Sequence, residues 1–494
     1  MKGDFTRVTF DPTHHFSRVL EQQGRVTVDA EPNEQTAILL HYLRTLARDL
    51  IGPYAAPIEN AGFTLSFDAT NADLLIGAGR YYVDGILVEN DTDCDYHAQP
   101  DYPFPAGDPL AAEIAKPSGS VFWLYLDVWE RHITCIEADF IREKALNGPD
   151  TCTRAKVVWQ VKGVLQNATS IDSIPCSTPL GQLVGLSNAT LAVRVDPGQK
   201  IVSACVTPPD SKYRGAENQL YRVEIHQGGT ATGGATGATF KWSHDNGSVA
   251  AAWLGTNGND LQVSHGRGFV AGNWVELSDD TLDLQGLPGV MVQLTKVQGD
   301  TLSVDPNSVP SASAIAWSAT LVHPKVRRWD ETGNENTQLV LGAVPVQEST
   351  ATTPLWIDLE DGVQIEFSPG GQYRTGDYWL IPARVSTGNV EWPTTVDASG
   401  NANPNFLPPH GIEHHYAPLG FITINKSTDG IQMAQFPCRC TFQPGSSCFQ
   451  LASQSTGNQL VNPPANPLNS GQLNPAVPAA GSIDNAARKK KKVK

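Results

Sequence analysis

The sequence predicts a mainly β chain with one N-terminal α-helix, arranged as several β-sandwich or β-barrel modules and followed by an irregular C-terminal tail. Charged residues make up 17% of its 494 residues, well below the roughly 25% of average soluble proteins. Glycine and proline number 44 and 35, above their average combined usage of about 12%. Short runs with a two-residue hydrophobic period recur through most of the chain. These three observations favour strands and turns over helices.

The predicted helix covers residues 32–51. Pro32 suits the first helical turn, where its missing N–H is harmless, and Gly52-Pro53 ends the pattern. Before it, residues 1–31 are polar and irregular, with two short β-like runs at 8–10 and 25–28. Apolar residues at three- and four-residue spacing give the helix one apolar face, and they are Ile38, Leu39, Tyr42, Leu43, Leu46 and Leu50.

Beyond the helix, the pattern predicts strands and hairpins. Asp84-Gly85 lies between two β-rich runs and favours a two-residue hairpin turn. Residues 121–130 form an apolar run that we expect to be buried on much of both faces. The glycine-rich segment 228–237 joins two strand-like runs and predicts a long hairpin tip. Further predicted strands cover 156–165, 221–225, 238–242, 274–277, 290–297, 301–304, 363–367 and 378–381.

Changes in composition and period divide the chain into five segments. We expect an N-terminal arm and helix, a β-rich core that is interrupted by a small inserted barrel or sandwich module, and an extended tail rich in Pro, Asn and Gln. The tail lacks the apolar residues that a packed core needs. The segments are 1–60 (arm and helix), 61–254 (core), 255–322 (insert), 323–448 (continued core) and 449–494 (tail).

Charge and hydrophobicity exclude several functional classes. The 35 basic and 51 acidic residues give a net charge of -16, which disfavours nucleic-acid binding through a basic face. The most apolar stretches, such as 121–129, are too short for a membrane-spanning helix of about 20 residues, so we expect no membrane insertion. Residues 1–5 carry no signal-peptide pattern. The tail ends in six positive charges within 488–494, which form a nuclear import-like signal, an electrostatic clamp on a neighbour or a solvated end.

Eight cysteines do not suggest a disulfide framework in a chain of this length, and we expect them to be mostly reduced thiols. Cys438, Cys440 and Cys448 could supply three thiolates to zinc. Structural zinc, however, usually takes four ligands from two spaced pairs, so buried thiols are the favoured alternative.

Residues His410 to His414 match the H-x-x-E-H motif of inverted zinc proteases, whose chemistry requires a helix. Pro408-Pro409 and Gly411 oppose a helix there. Two alternatives stay open: a loop metal site that uses His410, His414 or His415, and aromatic packing in a rigid turn. The carboxylate pairs Asp279-Asp280 and Glu360-Asp361 are sequence neighbours whose side chains diverge on a strand, so we predict no enzyme, no metal and no cofactor.

Several longer strings resemble an uncharacterised domain family found in phage-tail-like gene clusters. The opening MKGDFTR is also similar to the start of some right-handed β-helix tail proteins. Other strings include GAGRYYVDG, ATFKWSHDNGSV, HPKVRRWD, RTGDYWLIPAR and HHYAPL. Together the strings cover 1–7, 9–12, 16–26, 33–36, 77–85, 238–249, 323–330, 374–384 and 414–419.

This resemblance implies a structural component of an extracellular contractile injection system, acting as a shell or cage around the spike or as a baseplate extension. It implies a homo-oligomer on a three- or six-fold axis that contacts baseplate and spike proteins. The protein would be cytoplasmic during assembly and later part of a particle that is released or cell-anchored. Two alternatives are a receptor- or glycan-binding module that stacks sugars on Trp253, Trp317 or Trp392, and a polysaccharide hydrolase with paired acids in a cleft.

Overall fold

The computed structural model shows the mainly β architecture that the sequence predicts. Residues 1–443 fall in one compact unit, and the second unit, 444–494, lies outside the described residues. The predicted hairpin tip at 228–237 and Cys205 also lie wholly or partly outside them. The structure describes residues 1–68, 70–168, 170–171, 175–176, 187–198, 212–231, 237–333, 338–350, 352–427 and 430–443.

The predicted N-terminal helix is confirmed as α1 (Ala30–Ile51), and two short helices, α2 (Pro109–Ala115) and α3 (Asp280–Gln285), were not predicted. Within the described segments, no helix is both long and apolar enough to cross a membrane. The two β-like runs at 8–10 and 25–28 are not strands, so that expectation is wrong. Side-chain hydrogen bonds from Thr6 to Asp29 (2.6 Å) and from Thr9 to Glu34 (2.5 Å) instead hold the arm along α1.

The strands are numbered in chain order. The first ten are β1 (Tyr54–Pro57), β2 (Leu65–Asp68), β3 (Asp73–Ile76), β4 (Gly79–Val83), β5 (Ile86–Asn90), β6 (Cys94–Asp95), β7 (Val121–Ile133), β8 (Arg154–Gln166), β9 (Leu191–Val195) and β10 (Gln219–Gln227). The next ten are β11 (Gly229–Thr230), β12 (Thr239–Ser243), β13 (Ala250–Asn257), β14 (Asp260–Val263), β15 (Trp274–Ser278), β16 (Val290–Gln298), β17 (Thr301–Val304), β18 (Lys325–Trp329), β19 (Val344–Pro345) and β20 (Ile357–Asp358). The last nine are β21 (Val363–Phe367), β22 (Gln372–Tyr373), β23 (Tyr378–Arg384), β24 (Asn389–Val390), β25 (Thr394–Val396), β26 (Ala402–Pro404), β27 (His414–Ser427), β28 (Gly430–Pro437) and β29 (Thr441–Phe442).

A four-stranded sheet, ordered β28-β27-β7-β8, forms the centre of the first region. Alternate residues of β7 enter two cores: Phe122 and Leu124 pack with the β1–β5 strands, whereas Trp123 stacks on Phe421 on the opposite face. The expected two-sided burial of this strand is therefore confirmed. A second four-stranded sheet, β29-β1-β4-β5, contains the predicted hairpin. Its turn, Asp84-Gly85, has positive φ at both residues, as this kind of two-residue hairpin requires.

The second region is a β-sandwich. A five-stranded sheet, β19-β12-β10-β23-β24, shares one core with the three-stranded sheet β20-β21-β9. Phe240 of the first sheet lies against Phe367 of the second, with ring centroids 5.4 Å apart. The smaller sheets are β2-β3-β6, β11-β22 and β25-β26.

The third region is a closed barrel of six strands, ordered β13-β14-β17-β16-β15-β18. The segment expected to carry an inserted module, 255–322, lies inside this barrel, which runs from Ala250 to Trp329. Its interior holds inward-facing apolar residues such as Val275, Leu277 and Val326. Because side chains alternate along each strand, the neighbours of these residues point away from the barrel core, and those neighbours form part of the site described next.

Candidate functional site

A cavity of about 310 Å³ lies where the three regions meet, and charged side chains line much of it. Its walls come from the end of β7, from β10, β12 and β23 of the sandwich, and from β15 and β18 of the barrel. We call it the charged cavity. The first two residues of the chain and Arg44 of α1 also reach it.

Strand alternation explains how charged residues came to line the cavity. On β10, Tyr221, Val223 and Ile225 enter the sandwich core, so Arg222 and Glu224 point to the opposite face. Lys241 of β12 lies directly opposite Glu224 in the strand register. On the barrel side, Glu276 and Arg327 alternate with core residues in the same way and lie opposite each other in the register of β15 and β18.

The centre of the cavity wall is a network of buried ion pairs. Lys241 contacts Glu276 at 2.5 Å and Glu224 at 3.4 Å. Lys2 contacts Glu224 at 2.9 Å. The Lys241 ammonium also lies 4.5 Å from the centre of the Trp329 ring, whose indole N–H donates to Glu276 at 3.0 Å. Because burying a charge is costly unless it is paired and hydrogen-bonded, these contacts are what allow the charges to stay inside.

A second set of ion pairs joins β7 to the barrel. Arg131 contacts Asp280 at 2.5 Å, and Lys325 contacts Glu137 at 2.6 Å and Asp283 at 2.8 Å. All of these except Asp283 belong to largely buried side chains. The set therefore bridges two regions with charge-assisted hydrogen bonds.

The opening residues of the chain lie across the cavity. Asn246, fully buried and with φ of 56°, donates its amide to the carbonyl oxygens of Gly3 (2.8 Å) and Met1 (3.1 Å). The Met1 amino group donates to the Tyr378 hydroxyl at 2.7 Å. Asn is one of the few residues that tolerate this left-handed backbone conformation, so Asn246 both forms the turn and anchors the arm.

Burial and neighbouring charge set the protonation of these groups. Burial by itself would raise the pKa of Glu276, but Lys241 and Lys2 outweigh it and lower the pKa to about 2. Burial lowers the pKa of His226 to about 4, with Lys241 adding to the effect. Burial likewise lowers the pKa of His132 to about 3, with the amino terminus and Arg327 contributing. At neutral pH the carboxylate is ionised and both imidazoles are neutral.

The structure separates the histidines that the sequence pointed to. His414 and His415 lie on strand β27, not on a helix, so the geometry of an inverted zinc protease is absent there. His414 contacts Asp127 (2.7 Å), His415 contacts Asp84 (3.0 Å), and His410 accepts a hydrogen bond from the backbone N–H of Leu380 (3.0 Å). No group of three or more metal-binding side chains occurs in the part of the chain that the structure describes.

Among the candidate cysteines, Cys438 and Cys440 lie within the described residues and are in different states. Cys438 forms a disulfide with Cys176, so the expectation of reduced thiols is wrong for these two residues. No local pattern predicts this pair, because the two residues are 262 positions apart. Cys440 is a free, exposed thiol, and Cys448 lies outside the described residues.

The paired carboxylates have structural partners. Asp279 accepts the backbone N–H of Leu282 at 3.1 Å and so caps the start of α3, while its neighbour Asp280 pairs with Arg131. Glu360 contacts His244 at 2.9 Å, and Asp361 has φ of 50° in the turn that precedes β21.

The three tryptophans named for sugar binding differ in exposure. Trp253 and Trp392 are buried, whereas Trp317 is 39% exposed. Trp392 does line one side of a groove of about 960 Å³ beside the sandwich, together with Trp356. The guanidinium of Arg194 lies 3.9 Å from the centre of the Trp356 ring and covers one of its faces.

The apolar face of α1 is a second candidate site, because most of it lies in solvent. Ile38 is buried, but Leu39, Leu43, Leu46 and Leu50 are 52%, 61%, 56% and 77% exposed. These four leucines are spaced by four, three and four residues and form one stripe along the helix. We call them the leucine row.

Polar contacts hold α1 in an orientation that leaves the leucine row in solvent. Arg44 contacts Glu130 at 2.9 Å, and Arg48 lies 3.7 Å from Asp84. A Cβ atom at Gly85 would lie 2.1 Å from the Arg44 carbonyl oxygen, so the hairpin turn approaches the helix as closely as only glycine permits. The helix therefore docks through charged residues and Ile38, and leaves the leucine row uncovered.

Sequence reasoning missed the charged cavity, although some of its residues lie in the strings that carry the family resemblance. Lys2, Lys241, Lys325 and Tyr378 come from four different strings of this kind. The signal was charged residues alternating with core residues inside strands, which by itself fits a solvent-facing sheet equally well.

Comparisons with known proteins identify a family for the chain. No curated protein and no solved structure matched the chain. The model of one family, described as a family of unknown function (DUF6519), matches residues 1–176 and 183–494. Since the match spans nearly the whole sequence, the chain belongs to the DUF6519 family.

Proposed function

We propose that this protein is a structural, self-assembling component of a contractile, phage-tail-like injection particle, placed as a shell or cage near the baseplate and spike. The observation that carries the proposal is the exposed leucine row of α1. A stripe of four exposed leucines is costly in solvent and marks a surface that another chain covers.

The spacing of the row supports a second copy of the same helix as its cover. Leu39 and Leu46 take the d positions of a heptad repeat, and Leu43 and Leu50 take the a positions. A seam of this kind is self-complementary, because identical helices place equivalent leucines against one another. Fully burying one leucine side chain contributes about 1.5–3 kcal/mol, so four per chain contribute substantially to association.

The flanking positions support more than two helices in the assembly. In two-stranded coiled coils the e and g positions next to the seam are usually charged. Here Leu40 and Tyr42 take one e and one g position, and both are exposed. This wider apolar stripe suits a helix that contacts two neighbours, in line with assembly on a three- or six-fold axis.

The assignment to a contractile particle rests on the sequence strings, which resemble a domain family found in phage-tail-like gene clusters. Baseplate and spike proteins would then be the neighbours of the assembled ring. The protein would assemble in the cytoplasm and remain in the particle afterwards, whether released or cell-anchored.

The first experiment measures the mass of the full-length protein by light scattering after size-exclusion chromatography. We expect a multiple of three protomers, and we expect the double variant Leu43→Asp/Leu46→Asp to be monomeric because it places charges in the seam. Leu254→Asp, which changes an equally exposed leucine on the barrel strand β13, should leave the mass unchanged. A monomeric wild-type protein at micromolar concentration contradicts the proposed self-assembly.

The second experiment addresses the particle. Particles purified from cells that carry the gene cluster should contain this chain at a multiple of three or six copies, as counted by quantitative mass spectrometry. Intact particles that lack the chain would contradict the proposed location while leaving self-assembly standing.

A further inference from the structure

We propose that the charged cavity binds a small ligand through an oxyanion, either a carboxylate or a phosphate, and that Arg327 is the residue that anchors it. This site goes beyond the proposed structural role and does not depend on it. It rests on two polar groups in the cavity whose hydrogen-bonding capacity the described part of the chain leaves unused.

Arg327 is the first of these groups. Its side chain is 8% exposed and donates to the backbone carbonyl of Gly247. Among the described residues, no carboxylate oxygen lies within 4.0 Å of its guanidinium. A guanidinium has five N–H donors and stays charged in proteins, and a buried charge without a counter-charge is strongly unfavourable. A bound anion would supply the missing counter-charge.

The other buried cations of the cavity wall differ from Arg327 in this respect. Lys241 pairs with Glu276, Lys325 with Glu137, and Arg222 with Glu224 at 2.6 Å. The local carboxylates are therefore already engaged with other cations. Of the lysine and arginine side chains that line the cavity, Arg327 alone has no carboxylate oxygen within 4.0 Å among the described residues.

His132 is the second group. Its Nε2 atom is buried and has no hydrogen-bond partner within the described ranges. The imidazole lines the same cavity as Arg327, and its lowered pKa keeps it neutral at pH 7. A neutral imidazole can donate one hydrogen bond from Nε2 when the proton is placed there, which suits the second oxygen of a carboxylate or phosphate.

The size and opening of the cavity define the ligand further. A volume of about 310 Å³ lies at the small end of ligand pockets. Leu287 and Glu413 line the cavity and are exposed, so solvent and a small molecule can enter at this edge. Ile412 and Leu287 supply apolar wall.

The test is calorimetric titration of the full-length protein with sodium succinate and, separately, with sodium phosphate, at constant ionic strength and pH 7.5. We expect saturable binding of at least one of them, and which one binds identifies the oxyanion as carboxylate or phosphate. Arg327→Gln should weaken that binding at least tenfold, because the charge-assisted hydrogen bonds are lost. Arg142→Gln, which changes a surface arginine paired with Asp139, should bind like the wild type.

A second variant keeps the test decisive if Arg327→Gln fails to fold. His132→Phe keeps an aromatic ring beside Phe5 but removes Nε2, and we expect it to weaken the same anion several-fold with an unchanged melting temperature of the free protein. Absence of saturable binding of both anions to the wild type overturns the proposal. Equal affinity of the wild type and both folded variants also overturns it.

Discussion

The charged cavity and the leucine row differ in which kind of side chain is buried and which lies in solvent. In the cavity, lysine, arginine and glutamate side chains are buried against one another, and most of them find a partner within the same chain. On α1, four leucines lie in solvent, and no described residue covers them. In an average protein, charged residues are outside and leucine is inside.

The difference shows how burial follows from neighbours and not from residue type alone. A lysine can be buried where strand alternation from a neighbouring sheet places a carboxylate within 2.5 Å, as it does for Lys241. A leucine stays exposed where its helix docks through arginines, as α1 does. The first arrangement is complete within the described part of one chain except at Arg327, whereas the proposed function assigns the cover of the second to another chain.

The largest effect is expected from breaking the buried network. Lys241→Met removes the main partner of Glu276 and leaves a carboxylate buried without its cation. We expect a loss of about 3–5 kcal/mol in the free energy of unfolding, measured by chemical denaturation. The double variant Lys241→Met/Glu276→Gln should recover part of that loss, because neither charge remains.

A surface ion pair provides the matched control. Lys156 contacts Asp101 at 2.8 Å, and its side chain is 51% exposed. Lys156→Met should therefore cost no more than about 1 kcal/mol. If Lys241→Met is equally mild, the buried pairs do not stabilise the junction of the three regions.

The buried groups beside the cavity also predict that the free energy of unfolding falls in acid: His226 lies 3.8 Å from Glu276. His226 has an ordinary pKa near 6.5 when unfolded and about 4 when folded, so the unfolded state takes up its proton first as the pH falls. This contribution is complete above pH 6.5 and declines by about 1.4 kcal/mol per pH unit between 6.5 and 4. Glu276, lowered from 4.5 to about 2, adds a second decline below pH 4.5.

The measurement is the free energy of unfolding as a function of pH for the wild type and for His226→Asn. The variant should show a shallower slope between pH 6.5 and 4, with the decline below pH 4.5 retained. Superimposable slopes in the upper window would show that His226 does not carry this part of the pH dependence.

The smallest effect is expected on the leucine row, measured where the protein is monomeric. Leu46→Ala should change the free energy of unfolding by no more than about 0.5 kcal/mol, since the side chain contacts little in the single chain. Ile38→Ala, on the same helix but 1% exposed, should cost about 2–5 kcal/mol. A large loss in Leu46→Ala would mean that the row is covered within its own chain.

Local pattern was enough to predict much of the fold. The 301–304 and 363–367 strands have the predicted bounds, and the Asp84-Gly85 turn and the α1 helix lie where expected. Each depends on neighbours in sequence: a two-residue period, a turn dipeptide that accepts positive φ, or a 3.6-residue period ended by Gly-Pro. The β-like runs of the arm failed because an isolated run has no strand to pair with.

The sites were beyond sequence reasoning for a different reason. The face of β10 that carries Arg222 and Glu224 would read equally well as a solvent-facing surface, and only the barrel strand opposite makes it an interior. The apolar stripe of α1 likewise predicts a helix, but it does not show which surface packs against the stripe. In both cases the deciding contact lies far away in the chain, or in another chain.

The disulfide between Cys176 and Cys438 has a mechanical consequence. It closes a covalent loop with a sequence separation of 262 that contains the sandwich and the barrel. A pull on the two ends of the chain would run from the N-terminal region through the sulfur–sulfur bond to the last residues and bypass the loop. While the bond is intact, such tension could not extend the sandwich or the barrel, and the load would fall on the strands outside the loop, β1 to β8 and β29.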